Sequence, residues 1–288
     1  MNKSDIIHFF DNLAPQWDKD MIRNDEIIHI ILDNAKVCEE KEVLDVACGT
    51  GVLIPDYLDR NVKSVTAIDI SQEMVKIAQK KFLQENVQII CGDIEQTSFA
   101  HKFDCIVVYN AFPHFPEPEK LIKKLITHLK PGGTLTVAHG MSREQIDRHH
   151  SGEASKVSIG LISEDALAAL MEPELRVTVK ISDDKMYQVT GTKKRISDET
   201  IEHIGILAKL EISEEEKERA KRDMGEMLDY IDKLNELDTS GVEPMTHVFP
   251  INNVFREDVV RNGDGRAGTL ANAPEKKDGG IKVPRTIE

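Results

Sequence analysis

Three acids, each closing a short apolar run, carry the first chemical signal in the chain. The run at 43–46 contains Asp45 and is followed by Ala47-Cys48-Gly49-Thr50-Gly51, a tight glycine-containing turn. Val65-Thr66-Ala67-Ile68-Asp69 is a second run, and its acid lies 18 residues after Gly51. Val87-Gln88-Ile89-Ile90-Cys91-Gly92-Asp93 is a third. Strand, turn and helix in that order bring backbone N–H groups and a helix N-terminus to one point. Gly49 and Gly51 have no Cβ, so a ligand can lie against bare backbone there. Asp45 can accept a hydrogen bond from a cationic or hydroxyl-bearing ligand. Asp69 stands at the distance from the turn that suits the two ribose hydroxyls of an adenosine.

The elements that must position these acids alternate along residues 42–191. Each apolar run reads as a strand and each intervening stretch as a helix; Ser71 is the expected N-cap of a helix over 71–82. A fourth strand, 103–109, runs into Asn110-Ala111-Phe112-Pro113-His114, and a helix from Pro118 is expected to stop at Pro131-Gly132-Gly133. The fifth strand is expected over 134–139. Residues 140–165 read as an irregular lid, and 175–181 with 186–191 as a hairpin that completes the sheet. Ligands of such sheets sit at the carboxyl ends of parallel strands, which puts Asn110 and His114 in the crevice. Residues 2–36 read as helical, and carry the only Trp, Trp17.

Together these spaced elements resemble the class I S-adenosylmethionine-dependent methyltransferases over roughly residues 1–192. The first turn of that family reads acid-x-Gly-x-Gly-x-Gly; Ala47 replaces the first Gly, which implies that this site has no need of positive φ. Leu129-Lys130-Pro131-Gly132-Gly133 is a further likeness, and a nicotinamide-binding Rossmann domain fits the glycine spacing less well. The resemblance implies S-adenosylmethionine as cofactor. Asp45 and Gly49 would face its methionine part, Asp69 the ribose and Asp93 the adenine amine, with Ala47, Gly51, Ile70, Ile94 and Trp17 as further cofactor-binding residues. Asn110 would stand beside the transferred methyl. Phe10-Asp11-x-x-Ala14-x-x-Trp17-Asp18 is similar to the opening of small-molecule methyltransferases of the ubiquinone-biosynthesis type, where this segment covers the cofactor. The alternative is an aromatic cluster that caps the sheet. A neutral methyl acceptor must lose a proton, and His114 and His139 are the candidate bases, set against the reading of each as a surface or structural histidine. His139, Asp147, His149 and His150 are a possible metal set, but adjacent histidines more often face solvent, so no metal is expected.

A composition break falls at 191–195. Beyond it come a helix over 198–209, a capping box at Ser213-Glu214-Glu215-Glu216, and a helix over 214–237 whose Ala220, Met224, Met227, Leu228, Ile231 and Leu234 form one stripe. Residues 241–288 show no periodicity and carry dispersed apolar anchors, among them Phe249, Phe255 and Val283, as a segment wrapped on a partner would. The phrases Leu228-Asp229-Tyr230-Ile231-Asp232-Lys233-Leu234, Val242-Glu243-Pro244-Met245-Thr246-His247 and Asn253-Val254-Phe255-Arg256-Glu257-Asp258 resemble the C subunit of the tRNA-dependent amidotransferase over roughly 195–288. That resemblance implies a non-catalytic subunit of a heterotrimer with the amidase (A) and tRNA-binding (B) subunits. Together they convert misacylated Asp-tRNA(Asn) or Glu-tRNA(Gln) to Asn-tRNA(Asn) or Gln-tRNA(Gln). ATP, glutamine and Mg would belong to the partner subunits, and tRNA would meet this chain only through the complex. Leu228, Ile231, Leu234, Phe249, Phe255 and Val283 are the expected partner contacts.

The net charge of −14 disfavours a broad nucleic-acid surface, so the methyl acceptor is expected to be a small molecule. The four cysteines show neither metal nor disulfide spacing. No apolar run is long enough to span a bilayer, and a cytoplasmic protein is expected. The expected architecture is therefore α/β: a Rossmann-like sheet with helices on both faces over 1–192 and a short linker at 193–195. A two-helix module with a long extended tail follows over 196–288. As alternatives, the module only docks an independent methyltransferase, or the N-terminal domain is a silent cofactor-binding passenger.

Overall fold

A computed structural model describes residues 2–149, 157–196, 198–235, 237, 241 and 265–282. The acids' three strands are β1 (Glu42–Val46), β2 (Ser64–Asp69) and β3 (Val87–Cys91). With β4 (Phe103–Tyr109), β5 (Leu129–His139), β6 (Leu175–Ser182) and β7 (Tyr187–Lys193) they form one sheet in the order β3-β2-β1-β4-β5-β7-β6. The first five strands are parallel; β7 runs antiparallel to both β5 and β6.

Side-chain alternation explains the layers. Leu44, Val46, Ile106, Val108, Leu135 and Val137 point to one face and pack with Leu121, Ile122, Leu125 and Ile126 of α5 (Pro118–Thr127). Val43, Val65, Ala67, Cys105 and Val107 point to the other, against Ile28 and Leu32 of α2 (Asp25–Asn34) and Tyr57 of α3 (Ile54–Asp59). Both faces are covered, so the strands read as continuous apolar runs. Each fully buried aliphatic side chain contributes about 1.5–3 kcal/mol. α4 (Gln72–Lys81) follows β2 and is capped as expected, with Ser71 Oγ accepting from Met74 N at 3.3 Å.

The structure departs from expectation at several places. Residues 2–36 form two helices, α1 (Lys3–Asp20) and α2, separated by a joint at 21–24 where the Asn24 side chain caps α2. α5 stops at Thr127, and Lys130-Pro131-Gly132-Gly133 lies inside β5 instead of ending the helix. The register of β4 against β5 jumps from Phe103↔Leu129 to Cys105↔Thr134, so these residues form a bulge. A Cβ on Gly133 would stand 2.7 Å from Asp104 O, which is why the bulge needs glycine. Within the expected irregular lid lie α6 (Arg143–His149) and the start of α7 (Glu164–Met171), whose N-cap is Ser163. α7 buries Leu167, Ala168 and Met171 against the sheet.

The chain divides into two compact units, 1–234 and 235–288. In the first, β7 is followed by α8 (Asp198–Ala208) and α9 (Glu214–Asn235). The two helices run antiparallel, tied by Lys217–Glu202 at 2.8 Å and by Lys221–Asp198. The capping box forms as expected: Ser213 N donates to Glu216 Oε2 at 2.9 Å and Glu216 N to Ser213 Oγ at 3.4 Å. In the second unit, 265–282 is not the extended chain expected. It holds α10 (Arg266–Ala271) and a hairpin of β8 (Lys276–Lys277) and β9 (Gly280–Ile281). Asp278 and Gly279 both have positive φ, the conformation an Asp-Gly hairpin turn requires, and Arg266 donates to Gly279 O. The expected anchors Phe249, Phe255 and Val283 lie outside the described residues. Among the described residues no helix is long and apolar enough to cross a membrane, and no His/Cys/Asp/Glu group is placed to hold a metal. His150 of the possible metal set lies outside the described residues.

Candidate functional site

One cavity opens at the carboxyl ends of β1–β4, and α1 forms part of its wall. Of the expected cofactor residues it is lined by Asp45, Ala47, Gly49, Asp69, Ile70, Asp93, Ile94, Asn110 and Trp17; His114 lines it as well. Gly51 does not. A Cβ there would lie 2.5 Å from the Phe82 ring and 2.9 Å from Ile54, so this glycine makes room for close helix packing beneath the turn rather than for a ligand. Gly49 is the glycine of this turn that lines the cavity: an added Cβ would meet only Trp17 Nε1, at 3.8 Å. Ala47 corrects a second expectation, because its φ is +55°. An alanine is held in the left-handed region at the centre of the site, a strained conformation for an L-residue.

Asp69 organises the turn. Its Oδ2 accepts from Gly49 N at 2.7 Å and its Oδ1 from Ser71 N at 2.8 Å, which ties the end of β2 to the turn after β1. Each oxygen keeps a lone pair for a further donor. Burial raises its pKa, against the pull of those backbone donors. Asp45 is more deeply enclosed; its Oδ2 has no hydrogen-bond partner, and burial, with the Asp69 charge beside it, pushes its pKa up to about 8. A buried carboxyl with an orphan oxygen calls for a donor, and a cationic one restores its charge. Asp93 is engaged already: Oδ2 accepts from Lys3 Nζ at 2.6 Å and Gln96 Nε2 at 3.0 Å, and Oδ1 from Glu95 N at 3.0 Å.

Asn110 and His114, from the segment after β4, also line the cavity. Asn110 has φ +52°, and its Oδ1 accepts from Gly140 N at 3.0 Å, fixing the loop after β4 to the end of β5. His114 Nδ1 lies 2.7 Å from Val157 O. A carbonyl only accepts, so Nδ1 carries the proton and the neutral ring has its acceptor nitrogen at Nε2. The Phe10 ring meets this imidazole edge to face at 4.9 Å. His139 is buried against Tyr187 and does not line the cavity, so the structure brings one of the two candidate bases to the site.

Residues that the strand-end pattern did not single out also shape the site. Lys3 and Arg23 line it, and Arg23 is neutralised by Asp56 and Asp25 at 2.6 Å each. Asp11 and Asp18 hold α1 over the turns. The signal that points to them is spacing: 3, 11 and 18 share one helix face beside Phe10 and Trp17.

The strand order and a crevice ringed by strand-end acids define the N-terminal part as a methyltransferase domain, and the family model described as "Methyltransferase domain" matches residues 43–133. The same fold occurs in a putative methyltransferase solved in complex with the Haloferax volcanii Trm112 methyltransferase activator. There the TM-score is 0.52 at 19% identity, over 64% of this chain and 97% of that one. It occurs again in a DhpI-SAM-HEP complex, with TM-score 0.51 at 17% identity, over 64% and 94%. The family model for the Glu-tRNAGln amidotransferase C subunit matches residues 212–283. The C subunit of the aspartyl/glutamyl-tRNA(Asn/Gln) amidotransferase of Acetivibrio thermocellus is 50% identical over 94 residues, 33% of this chain and 99% of the relative. That of Geobacter sulfurreducens is 46% identical over 94 residues, with the same shares. The chain belongs to the family of aspartyl/glutamyl-tRNA(Asn/Gln) amidotransferase C subunits, and it is a fusion of such a subunit with an N-terminal methyltransferase domain.

Proposed function

We propose that the N-terminal domain binds S-adenosylmethionine and transfers its methyl group to a small molecule, while the C-terminal module joins the amidotransferase A and B subunits. The observation that carries the cofactor reading is the cavity itself, where Asp45 with its orphan oxygen, the bare backbone of Gly49 and the bridging Asp69 converge. The donor set fits the group. Asp45 would take the ammonium of the methionine part and Asp69 the ribose hydroxyls. Asp93 with Ile94 would take the adenine. The bound cofactor supplies a methyl carried on a sulfonium, already a good electrophile, so the protein has to position the acceptor and remove its proton. His114 is the base: the Val157 carbonyl fixes its tautomer, and Nε2 accepts the acceptor's proton. Asn110 holds the loop that carries it, through Gly140. Trp17 and Phe10 exclude water from above.

The partner reading rests on the C-subunit relatives and on apolar side chains that this chain leaves in solvent. Met227, Ile231 and Leu234 on α9 are 65%, 47% and 49% exposed. Leu228 of the same stripe is half-buried. In the assembled heterotrimer these would seat against the amidase subunit, with ATP, glutamine and Mg held by the partners. Calorimetric titration with S-adenosylmethionine tests the cofactor reading, with NADH as the control: heat from NADH and none from S-adenosylmethionine removes it. A metabolite-extract methylation assay then separates an active enzyme from a passenger domain.

A further inference from the structure

α1 makes one polar attachment to each of the three turns that ring the cofactor cavity. Lys3 Nζ donates to Asp93 Oδ2 and Glu95 Oε2, both at 2.6 Å, in the turn after β3. Asp11 Oδ1 accepts from Ser71 Oγ at 2.6 Å and Glu73 N at 3.2 Å, in the turn after β2. Asp18 Oδ1 accepts from Thr50 Oγ1 at 2.6 Å, in the turn after β1, and Asp18 Oδ2 pairs with Lys81 at 3.0 Å. The attachments are eight and seven residues apart, about two helical turns each, so they share one face of the helix. Along the sheet edge the strands come in the order β3, β2, β1, so α1 crosses the crevice from end to end, one attachment per turn. Between the attachments Ile6, Phe10 and Trp17 line the cavity from above.

We propose that Lys3, Asp11 and Asp18 are clasps that hold α1 shut over the crevice, and that cofactor exchange waits on their release. The inference rests on the cofactor reading above. The helix has the means to move. Pro15 has no N–H, so the Asp11 carbonyl lacks its helical donor midway between two clasps, and the non-helical joint at 21–24 connects α1 to α2. The Lys3 clasp also falls on Asp93, the carboxylate assigned to the adenine amine, so the first clasp and the cofactor share one acceptor. Asp11 sits at the N-terminal end of α4, where a carboxylate is favoured and readily re-forms its contact. These residues touch the turns rather than the reacting atoms and are positioning residues.

A gate has a kinetic signature that a mere contact lacks. Weakening a contact to bound ligand raises the dissociation rate alone. Weakening a clasp raises association and dissociation together, because both wait on opening. Trp17, the only tryptophan, lines the cavity and reports binding of S-adenosylhomocysteine by stopped-flow fluorescence. Lys3→Ala and Asp18→Asn should each raise both rates roughly tenfold, and Lys3→Arg should restore wild-type rates. Raising ionic strength should speed both rates in the unmodified protein, which needs no variant to fold. A dissociation rate that rises alone, or rates that do not move, overturns the clasps while leaving the cofactor reading intact. Unmodified protein that binds no S-adenosylhomocysteine by calorimetry overturns both.

Discussion

The sheet domain and the helical module treat their apolar side chains in opposite ways. In the first, Leu44, Val46, Ile106, Val108, Leu135 and Val137 are sealed under α5 and α7, and the opposite face is sealed under α2 and α3. In the second, α8, α9 and the loop between them leave Ile206, Leu207 and Leu210 as well as Met227, Ile231 and Leu234 in solvent. Of the α8 side chains, Ile201 is almost wholly enclosed. A two-helix hairpin has no layer left to cover its faces. The first region places its apolar side chains in its own core and around a cavity; the second leaves many of them exposed. That contrast is what the fused architecture predicts, and it can be broken residue by residue.

The largest expected effect lies in the cavity. His114→Gln should lower turnover by roughly 10²–10⁴-fold with cofactor affinity unchanged; His139→Gln, outside the cavity, should leave the chemical step intact. Unchanged turnover in both would mean that positioning alone drives transfer. Next comes the module. Ile231→Asp should weaken association with the amidase subunit by about 2–4 kcal/mol, with no loss of melting temperature, because the side chain is half in water already. A melting temperature that drops, with association unchanged, would make α9 part of the core instead. Asp69→Ala should cost about 1.5–3 kcal/mol of cofactor affinity, measured by titration.

Much of this was legible beforehand, and the reasons are local. Short apolar runs ending in Asp45, Asp69 and Asp93 announce parallel strands, and Ser71 and the Ser213–Glu216 box announce helix starts, because each rests on neighbours in sequence. The apolar stripe of α9 is visible in the sequence as well, and the structure leaves Met227, Ile231 and Leu234 of it exposed. What escaped depends on distant residues. Nothing near Gly51 shows that the Phe82 ring lies beneath it. The Pro131-Gly132-Gly133 run reads as a helix stop until the register jump of β5 against β4 is seen. α7 is too short for its periodicity to stand out, and Asp278-Gly279 is a local turn signal within a stretch that otherwise has no periodicity.

Smaller effects sharpen the picture of the cavity. Asp45 has a pKa raised to about 8 by burial and by Asp69, against an ordinary value of 3.8. A carboxyl raised in the folded state stabilises fully below its ordinary value, and that contribution is lost as pH rises toward 8. Asp45→Asn should therefore flatten the stability of the free protein between about pH 4 and 8. The ammonium of the cofactor requires the ionised carboxyl, so affinity should rise by up to about tenfold per unit as pH approaches 8, until the ammonium itself loses its proton. Binding should release a proton, read as a buffer-dependent calorimetric enthalpy; no dependence would mean that Asp45 does not meet the cation. Ala47→Gly should be the mildest change, within about 1 kcal/mol and on the stabilising side in chemical unfolding, since it relieves a φ of +55°.

The central claim is that one chain serves a cofactor cavity and an amidotransferase interface at the same time. The direct test is calorimetric titration of S-adenosylhomocysteine into the heterotrimer purified with the A and B subunits. One binding event per copy of this chain is expected, weakened by about 1.5–3 kcal/mol in Asp69→Ala with the heterotrimer still assembled. A heterotrimer that assembles and takes up no S-adenosylhomocysteine, or a chain that binds it and never joins the A and B subunits, would contradict it.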